Sequence, residues 1–390
     1  MTDKHQFVGK KVRLGDVCSI VSGATPKTAV ADYWNGDIKW VTPAELDDNS
    51  HVIYDTAKHL TEKGFSSASL HMLPKGTVLL TTRAPIGKVA IAGEEMCCNQ
   101  GFKNLICSDV INNEYLYRYL KSRSSELQAL GRGATFKELS KKSVAAYELN
   151  LPPLNYQLEA VEKLTFVDNQ ITAVKAQLDE LDSLVKSRFV EMFEDKGYPV
   201  SYLSHLTSSM RNGMSPSKSG SHHSKVLTLS AVTQGRFNSA AWKDGFFAEK
   251  PPIDKHVSVD DFYVCRGSGN IHLVGSGEYP DRPMEDVVFP DTMIAAKIKQ
   301  GQIILPYLRY AWAQSSTRRQ IEASAKTTNG TFKINQTMLG NIKIPVPPLK
   351  IQQEFADFAA SVDKSRFVAQ QQIEKLQMLY DSLAQEYFGE

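Results

Sequence analysis

One segment of this chain is written twice, and nothing else constrains its fold as much. Residues 151–193 open Leu151-Pro152-Pro153-Leu154, residues 346–388 open Val346-Pro347-Pro348-Leu349, and the two then correspond without a gap. Gln157 falls on Gln352, Glu159 on Glu354, Val167-Asp168 on Val362-Asp363, Leu181 on Leu376, Leu184 on Leu379, Ser187 on Ser382 and Phe193 on Phe388. Solenoid repeats recur every 20–50 residues or so, so copies this far apart are duplicated domains with their helices. Two similar halves related by a pseudo-twofold axis are expected, an arrangement suited to a bipartite target.

The duplicated segments carry a helical seam. Leu164, Val167, Ile171, Val174, Leu178, Leu181 and Val185 alternate steps of three and four, which lines one apolar stripe along a helix. The second copy continues it with Val362, Ala369, Ile373, Leu376, Tyr380 and Leu383, interrupted at Arg366. A helix of about 40 residues spans roughly 60 Å at 1.5 Å per residue. Two such stripes, linked through a whole globular domain, are best buried by pairing as an antiparallel coiled coil.

The remaining sequence reads as two mixed α/β bodies, so the expected class is α+β with a pseudo-twofold internal repeat. The boundaries expected are 1–150 for the first body, 151–195 for the first helix, 196–345 for the second body and 346–390 for the second helix. Strand-like runs lie at Ile38-Lys39-Trp40-Val41, Thr77-Val78-Leu79-Leu80-Thr81 and Lys88-Val89-Ala90-Ile91, separated by turn residues such as Asn35-Gly36 and Pro74-Lys75-Gly76. Residues 114–130 read as a helix. The second body follows this order weakly, with Lys225-Val226-Leu227-Thr228-Leu229-Ser230 near the place of the Trp40 strand. Asp261-Phe262-Tyr263-Val264-Cys265-Arg266 stands near that of Val78 to Arg83, and the helix from Pro306 near that from Glu114.

Composition narrows the class. Of 390 residues 42% are hydrophobic and 23% charged, ordinary for a globular protein, and no window is apolar enough for a membrane helix. The start lacks an apolar signal core, and five cysteines without CxxC or zinc spacing read as free thiols in a reducing cytoplasm, with no metal site. His222-His223, in a serine-rich stretch, reads as a flexible surface turn, and Trp40 and Ile86 read as core. The formal charge of +2 decides nothing about nucleic acid; clustering of cations in loops would.

Two divergent bodies alternating with two similar helices, each begun by a Pro-Pro-Leu step with a glutamine shortly after, resemble the specificity subunit of type I restriction–modification enzymes. The first body adds Ser22-Gly23-Ala24-Thr25-Pro26, Tyr33-Trp34-Asn35-Gly36-Asp37-Ile38-Lys39-Trp40-Val41-Thr42-Pro43 and Leu73-Pro74-Lys75-Gly76-Thr77-Val78-Leu79-Leu80. Arg83-Ala84-Pro85-Ile86-Gly87-Lys88-Val89-Ala90-Ile91 and Asn99-Gln100 continue the likeness. The second body keeps Gly213-Met214-Ser215-Pro216 but lacks the Tyr-Trp-Asn-Gly step. The resemblance implies a non-catalytic reader of double-stranded DNA in which each body is a target-recognition domain for half of a split site. It further implies that the helices space the halves and dock two methyltransferase subunits, and that two motor-nuclease subunits complete the enzyme. S-adenosylmethionine would then sit on the methyltransferase partners, with no cofactor in this chain.

Reading DNA takes cations and amide donors for phosphates, and paired donors and acceptors for base edges. In the first body the loop candidates are Ser22, Thr25, Lys27, Thr42, Thr82, Arg83, Lys88, Gln100, Lys103, Arg132, Thr135 and Lys137. The second body offers Arg211, Ser215, Lys218, Arg266, Ser268, Asn270, Lys326, Thr327, Thr328, Asn329 and Lys333. The stretch from Gly131 to Lys137 is echoed by Lys326 to Lys333; a shared loop cannot read two different half-sites, so it contacts phosphate or braces the start of the helix.

Catalytic readings fare worse. Asn150-Leu151-Pro152-Pro153-Leu154 has Leu151 out of place for an adenine-methyltransferase motif and no aromatic to stack a flipped base. Gly131 to Lys137 lacks the Gly-Lys-Ser/Thr end of a phosphate loop. Pro290-Asp291 with Lys297 lacks the acid two residues before the lysine that a nuclease core requires. A stand-alone methyltransferase or nuclease, which would bind S-adenosylmethionine or cut DNA by itself, and a coiled-coil scaffold, which would not bind DNA, are the competing classes.

Overall fold

The computed structural model describes residues 9–132, 137–217, 220–328 and 330–389. The chain divides into two compact units, Met1–Lys175 with Gln370–Glu390, and Ala176–Ala369. Both long helices, Leu154–Phe193 and Leu349–Phe388, are 40 residues long and are shared out between the units.

In the first unit an antiparallel ribbon, Lys10–Arg13 with Glu148–Leu151, joins the beginning of the body to its end. The main sheet orders its strands Cys18–Ser22, Phe102–Cys107, Val78–Thr82, Ile86–Ala92 and Val52–Ile53. Val78–Thr82 is buried at every position: Val78, Leu79 and Leu80 form an apolar run between two neighbouring strands, and Thr81 and Thr82 donate their hydroxyls to the carbonyls of Pro85 and Gly101. A smaller sheet sets Trp34–Val41 between His59–Leu60 and Cys97–Cys98, the last pairing parallel. Trp40 and Ile86 are buried.

The expected helix over 114–130 is two, Asn113–Ser122 and Ser124–Leu130. Arg123 leaves helical geometry between them, and its guanidinium donates to the carbonyls of Phe388 at 3.0 Å and Gly389 at 2.9 Å. That contact lies far away in sequence, so local periodicity carries no trace of it.

The second unit repeats the plan. Its ribbon is Val200–Tyr202 with Lys343–Pro345, and its main sheet runs Thr207–Asn212, Met293–Ile298, Asp261–Cys265, Gly277–Glu278. Its second sheet sets His222–Leu227 antiparallel to Trp242–Phe247 and parallel to Met284–Val288. His222-His223 is therefore strand, not a flexible turn: the ladder to Phe246 and Phe247 holds a stretch whose composition alone reads as loop.

Within each unit the long helices run antiparallel. In the first, Tyr156 packs on Tyr387 with centroids 5.1 Å apart, and further along Asp168 and Tyr380 share the Arg118 guanidinium at 2.5 and 3.0 Å. In the second, Phe189 and Phe193 pack on Phe355 at 5.3 and 5.4 Å, and Asp182 pairs with Arg366. The residue that interrupts the heptad stripe is thus a cross-helix ion pair. Leu164, Val167, Ile171, Val174, Val185, Val362 and Ala369 are buried, and Leu178, Leu181, Ile373, Leu376, Tyr380 and Leu383 half-buried. Tyr387 and Phe388 join the first unit's core, where Phe388 meets Tyr115 at 5.3 Å. Burying one such ring is worth roughly 1.5–3 kcal/mol, enough to anchor a helix end.

Candidate nucleic-acid interface

A buried glutamine fixes each long helix to its body. Gln157 accepts from the Asn112 amide at 2.8 Å and donates to the carbonyls of Val110 at 2.9 Å and Pro152 at 2.8 Å. Gln352 accepts from the Ile304 amide at 3.0 Å and donates to the carbonyls of Gln302 at 3.1 Å and Pro347 at 2.7 Å. Both side chains are 0% exposed, so amide oxygen and nitrogen are spent entirely on loop backbone. Each glutamine accepts one bond and donates two; among neutral side chains only Asn and Gln offer two N–H donors with an acceptor, and only Gln carries them on this reach. The sequence marks these residues by their duplication without revealing what they hold.

On that frame the loops converge. Ser22 ends a strand, and at Gly23 the chain passes so close to the neighbouring strand end that a Cβ would lie 1.9 Å from the Asn99 carbonyl oxygen; a Cβ on Gly213 would likewise lie 2.1 Å from that of Pro290. Thr25 donates to Gln100, tying two exposed loops together. Thr42 donates to Glu45 at 2.8 Å and caps a short turn. Thr42, Arg83, Asn99, Lys137 and Glu138 line a cavity of about 860 Å³ whose apolar wall includes Pro43 and Ile86. Three stretches chosen from the sequence thus meet at one concave surface, while Asn99 and Glu138 were missed as site residues. Asn99 had a signal, adjacency to Gln100; Glu138 had none. Lys27, Gln100, Arg132 and Lys137 are exposed and Arg83 is half-buried.

Several candidates are corrected. Thr82 is fully buried, and its hydroxyl donates to the Gly101 carbonyl at 3.1 Å, so it has no surface to present. Lys88 turns inward, its ammonium donating to the Leu46 carbonyl at 2.5 Å. Lys103 is 8% exposed; burial pushes its pKa down, with Glu138 opposing and Arg83 and Lys141 reinforcing. Arg211 spends its guanidinium on the buried carboxylate of Asp261 and on the Asp254 carbonyl at 2.8 Å. All four answer internal needs of the fold that outweigh a polar residue's usual preference for water.

In the second unit a hairpin, Lys326–Thr328 with Thr331–Lys333, pairs through its second strand with Gly267–Ser268. This sets Lys326, Thr327 and Lys333, all exposed, on the sheet that holds Ser268. Ser268 accepts from the Asn270 amide at 3.1 Å and Asn270 from the His272 amide at 2.9 Å, so both side chains shape the turn between them. Ser215 is exposed. Thr135, Lys218 and Asn329 lie outside the described residues, and for Thr328 only the backbone is described.

The two bodies share backbone bracing and differ in the side chain it carries. The Thr82 amide donates to Gly101 and its carbonyl accepts from Leu139 at 3.0 Å; the Arg266 amide donates to Thr292 and its carbonyl accepts from Ile334 at 2.9 Å. Arg266 therefore occupies the place of Thr82, one step from the sequence expectation that set it beside Arg83. Its guanidinium reaches the Asp291 carbonyl at 3.2 Å and is half-buried.

Among the described residues no helix is long and apolar enough to cross a membrane, and no group of three or more His, Cys, Asp or Glu is placed to hold a metal. A model of the type I restriction modification DNA specificity domain matches residues 9–183 and 281–378. The specificity subunit of the MjaIX type I restriction enzyme of Methanocaldococcus jannaschii is 36% identical over 189 residues, 48% of this chain and 43% of that one. The EcoKI specificity subunit of Escherichia coli K12 is 24% identical over 255 residues, 59% of this chain and 53% of its own. The chain thus spans about half the length of these relatives. The crystal structure of a type I restriction–modification S subunit from M. genitalium superposes with a TM-score of 0.60 at 14% identity, covering 100% of this chain and 98% of that one, a likeness of fold.

Proposed function

Since the chain belongs to the family of the type I restriction modification DNA specificity domain, we propose that it is the sequence-reading subunit of such a complex and carries no chemistry of its own. Each body reads one half of a bipartite duplex site, and the long helices set the number of unspecified base pairs between the halves. Two methyltransferase subunits dock on the helices and bring S-adenosylmethionine; two motor-nuclease subunits complete the assembly, in the cytoplasm. The exposed and half-exposed candidates, Ser22, Thr25, Lys27, Thr42, Arg83, Gln100, Arg132 and Lys137 with Ser215, Arg266, Lys326, Thr327 and Lys333, form the DNA face. Base readout falls to Arg83 and phosphate contact to Lys137 and Lys333.

One observation carries this reading: a shared frame under unlike surfaces. The glutamine clamps and backbone braces recur in both units, yet the same braced position carries a buried Thr82 in one and a half-buried Arg266 in the other. Such a frame keeps two readers in register with their helices while leaving each free to read its own sequence.

The test is to exchange residues 1–150 for the matching body of a relative and sequence the methylome of cells that also make the methyltransferase partner. One half of the methylated site should change and the other remain. A change in both halves, or methylation that ignores the exchange, would overturn the proposal.

A further inference from the structure

Two of the five cysteines face each other at the edge of the first unit's core, and the proposed DNA reading does not use their thiol chemistry. Cys18 and Cys107 are register partners across the antiparallel strands Cys18–Ser22 and Phe102–Cys107. The Ser108 amide donates to the Val17 carbonyl at 3.0 Å, which makes the neighbouring pair the hydrogen-bonded one. Since the ladder alternates, Cys18 and Cys107 form a non-hydrogen-bonded pair, in which Cα atoms lie about 4.5 Å apart and side chains come closest. That separation falls inside the roughly 4.4–6.8 Å that a disulfide spans.

The other three thiols are differently placed. Cys97 contacts the Lys39 carbonyl at 3.3 Å, Cys98 the Asn104 side-chain oxygen at 3.3 Å, and Cys265 the Gly267 carbonyl at 3.6 Å. All three are buried, and burial pushes Cys97 up to about 12 and Cys265 up to about 11. Cys97 and Cys98, consecutive in a strand, point to opposite faces. Cys107, by contrast, is partly exposed while Cys18 is buried beside it. The Cys18 thiol, by hydrogen bonding to Cys107, favours the thiolate at Cys107 and disfavours its own.

We propose that Cys18 and Cys107 are a reversible thiol–disulfide couple in which a hydroperoxide oxidises Cys107 and Cys18 resolves the product. The Cys107 thiolate attacks one peroxide oxygen, the O–O bond breaks, and Cys107 becomes a sulfenic acid as hydroxide leaves and takes up the proton the thiol has lost. The Cys18 sulfur then attacks the Cys107 sulfur; the S–S bond forms, the S–O bond breaks, and the hydroxyl departs with the Cys18 proton as water. Two thiols and one hydrogen peroxide thus give one disulfide and two waters, and a dithiol reductant returns both thiols.

The bond would tie the strand pair together beside Val110, whose carbonyl holds Gln157. Ser22 and Lys103, register partners near the other end of the same strands, lie about 13 Å away at roughly 3.3 Å per residue. The crosslink therefore stiffens the seat of the helix and leaves the loops uncovered.

The test treats the full-length chain with hydrogen peroxide, blocks remaining thiols and maps peptides without reduction. The expected result is a loss of two hydrogens from the intact mass and a peptide pair joining Cys18 to Cys107, both reversed by dithiothreitol. In Cys18→Ser, a dimedone-type reagent should capture the sulfenic acid at Cys107. A linked pair that uses any other cysteine would overturn the proposal. So would a folded chain that keeps both thiols at peroxide doses that join them once it is unfolded. Capture of the sulfenic acid at Cys18 instead of Cys107 would refute the assigned order.

Discussion

Replacing Gln157 with methionine should loosen the first unit by about 2–4 kcal/mol. Methionine matches glutamine in length and volume and has neither a strong donor nor a strong acceptor, so the change removes hydrogen bonds without opening a cavity. Three backbone groups lose their partner: the Asn112 amide and the carbonyls of Val110 and Pro152. Each bond contributes about 1 kcal/mol net, and a group left dry costs about 1–3 kcal/mol. The bond to Pro152 is buried, whereas the other two are only partly so and can recover water, which sets the range. At about 2–4 °C per kcal/mol for a body of this size, the unfolding midpoint of that unit should fall by roughly 4–16 °C. Gln352→Met removes the same three kinds of bond from the second unit and should act alike there. Hydrogen exchange resolved by peptide separates the units, with lost protection expected at Asn112 in the first variant and at Ile304 in the second. A Gln157→Met chain with wild-type midpoint and unchanged protection at Asn112 would refute the clamp.

Arg83→Ala should cost about 1–3 kcal/mol on the cognate duplex alone, whereas Lys137→Ala and Lys333→Ala should weaken all sequences alike and lower the salt slope by about one each; titrations on cognate and scrambled duplexes at several salt concentrations decide. Thr82→Val, at a position with no exposed surface, should leave affinity unchanged in the same titrations. Burial holds the Glu278 carboxyl above its ordinary range although Arg309 pulls it down. A raised pKa means the folded chain binds the proton more readily than the unfolded one, so this group's contribution to stability is present below the unfolded pKa and lost as pH rises through the folded one. Urea unfolding from about pH 4 to 7 should show that slope, and Glu278→Gln should flatten it. Inserting one heptad after Leu181 and another after Leu376 lengthens each helix by about 10 Å and preserves the seam. The methylated site should keep both halves and gain unspecified base pairs between them; an active variant with the original spacing would leave the helices as a docking surface only.

The duplication by itself determined most of the architecture. Two segments alike over their whole length imply two alike bodies, and a stripe at steps of three and four implies helices that bury one face, since periodicity is a local property of the chain. The apolar run at Val78–Leu80 likewise announces a strand buried on both sides. What the tertiary structure alone decided is where each polar group goes. Arg83 and Lys88 belong to one short stretch of loop and strand, yet one lines a cavity while the other turns inward to a carbonyl more than forty residues away in sequence. Thr82 and Arg266 differ in chemistry yet hold one braced position, because the brace is made of backbone and the side chain is free to vary. Arg366 breaks the apolar stripe yet binds the helices together, since its carboxylate partner, Asp182, lies on the other helix. Burial patterns are written in neighbouring residues; the partner of a buried charge or amide is set by segments far apart in sequence, and only folding brings them within 3 Å or so of each other.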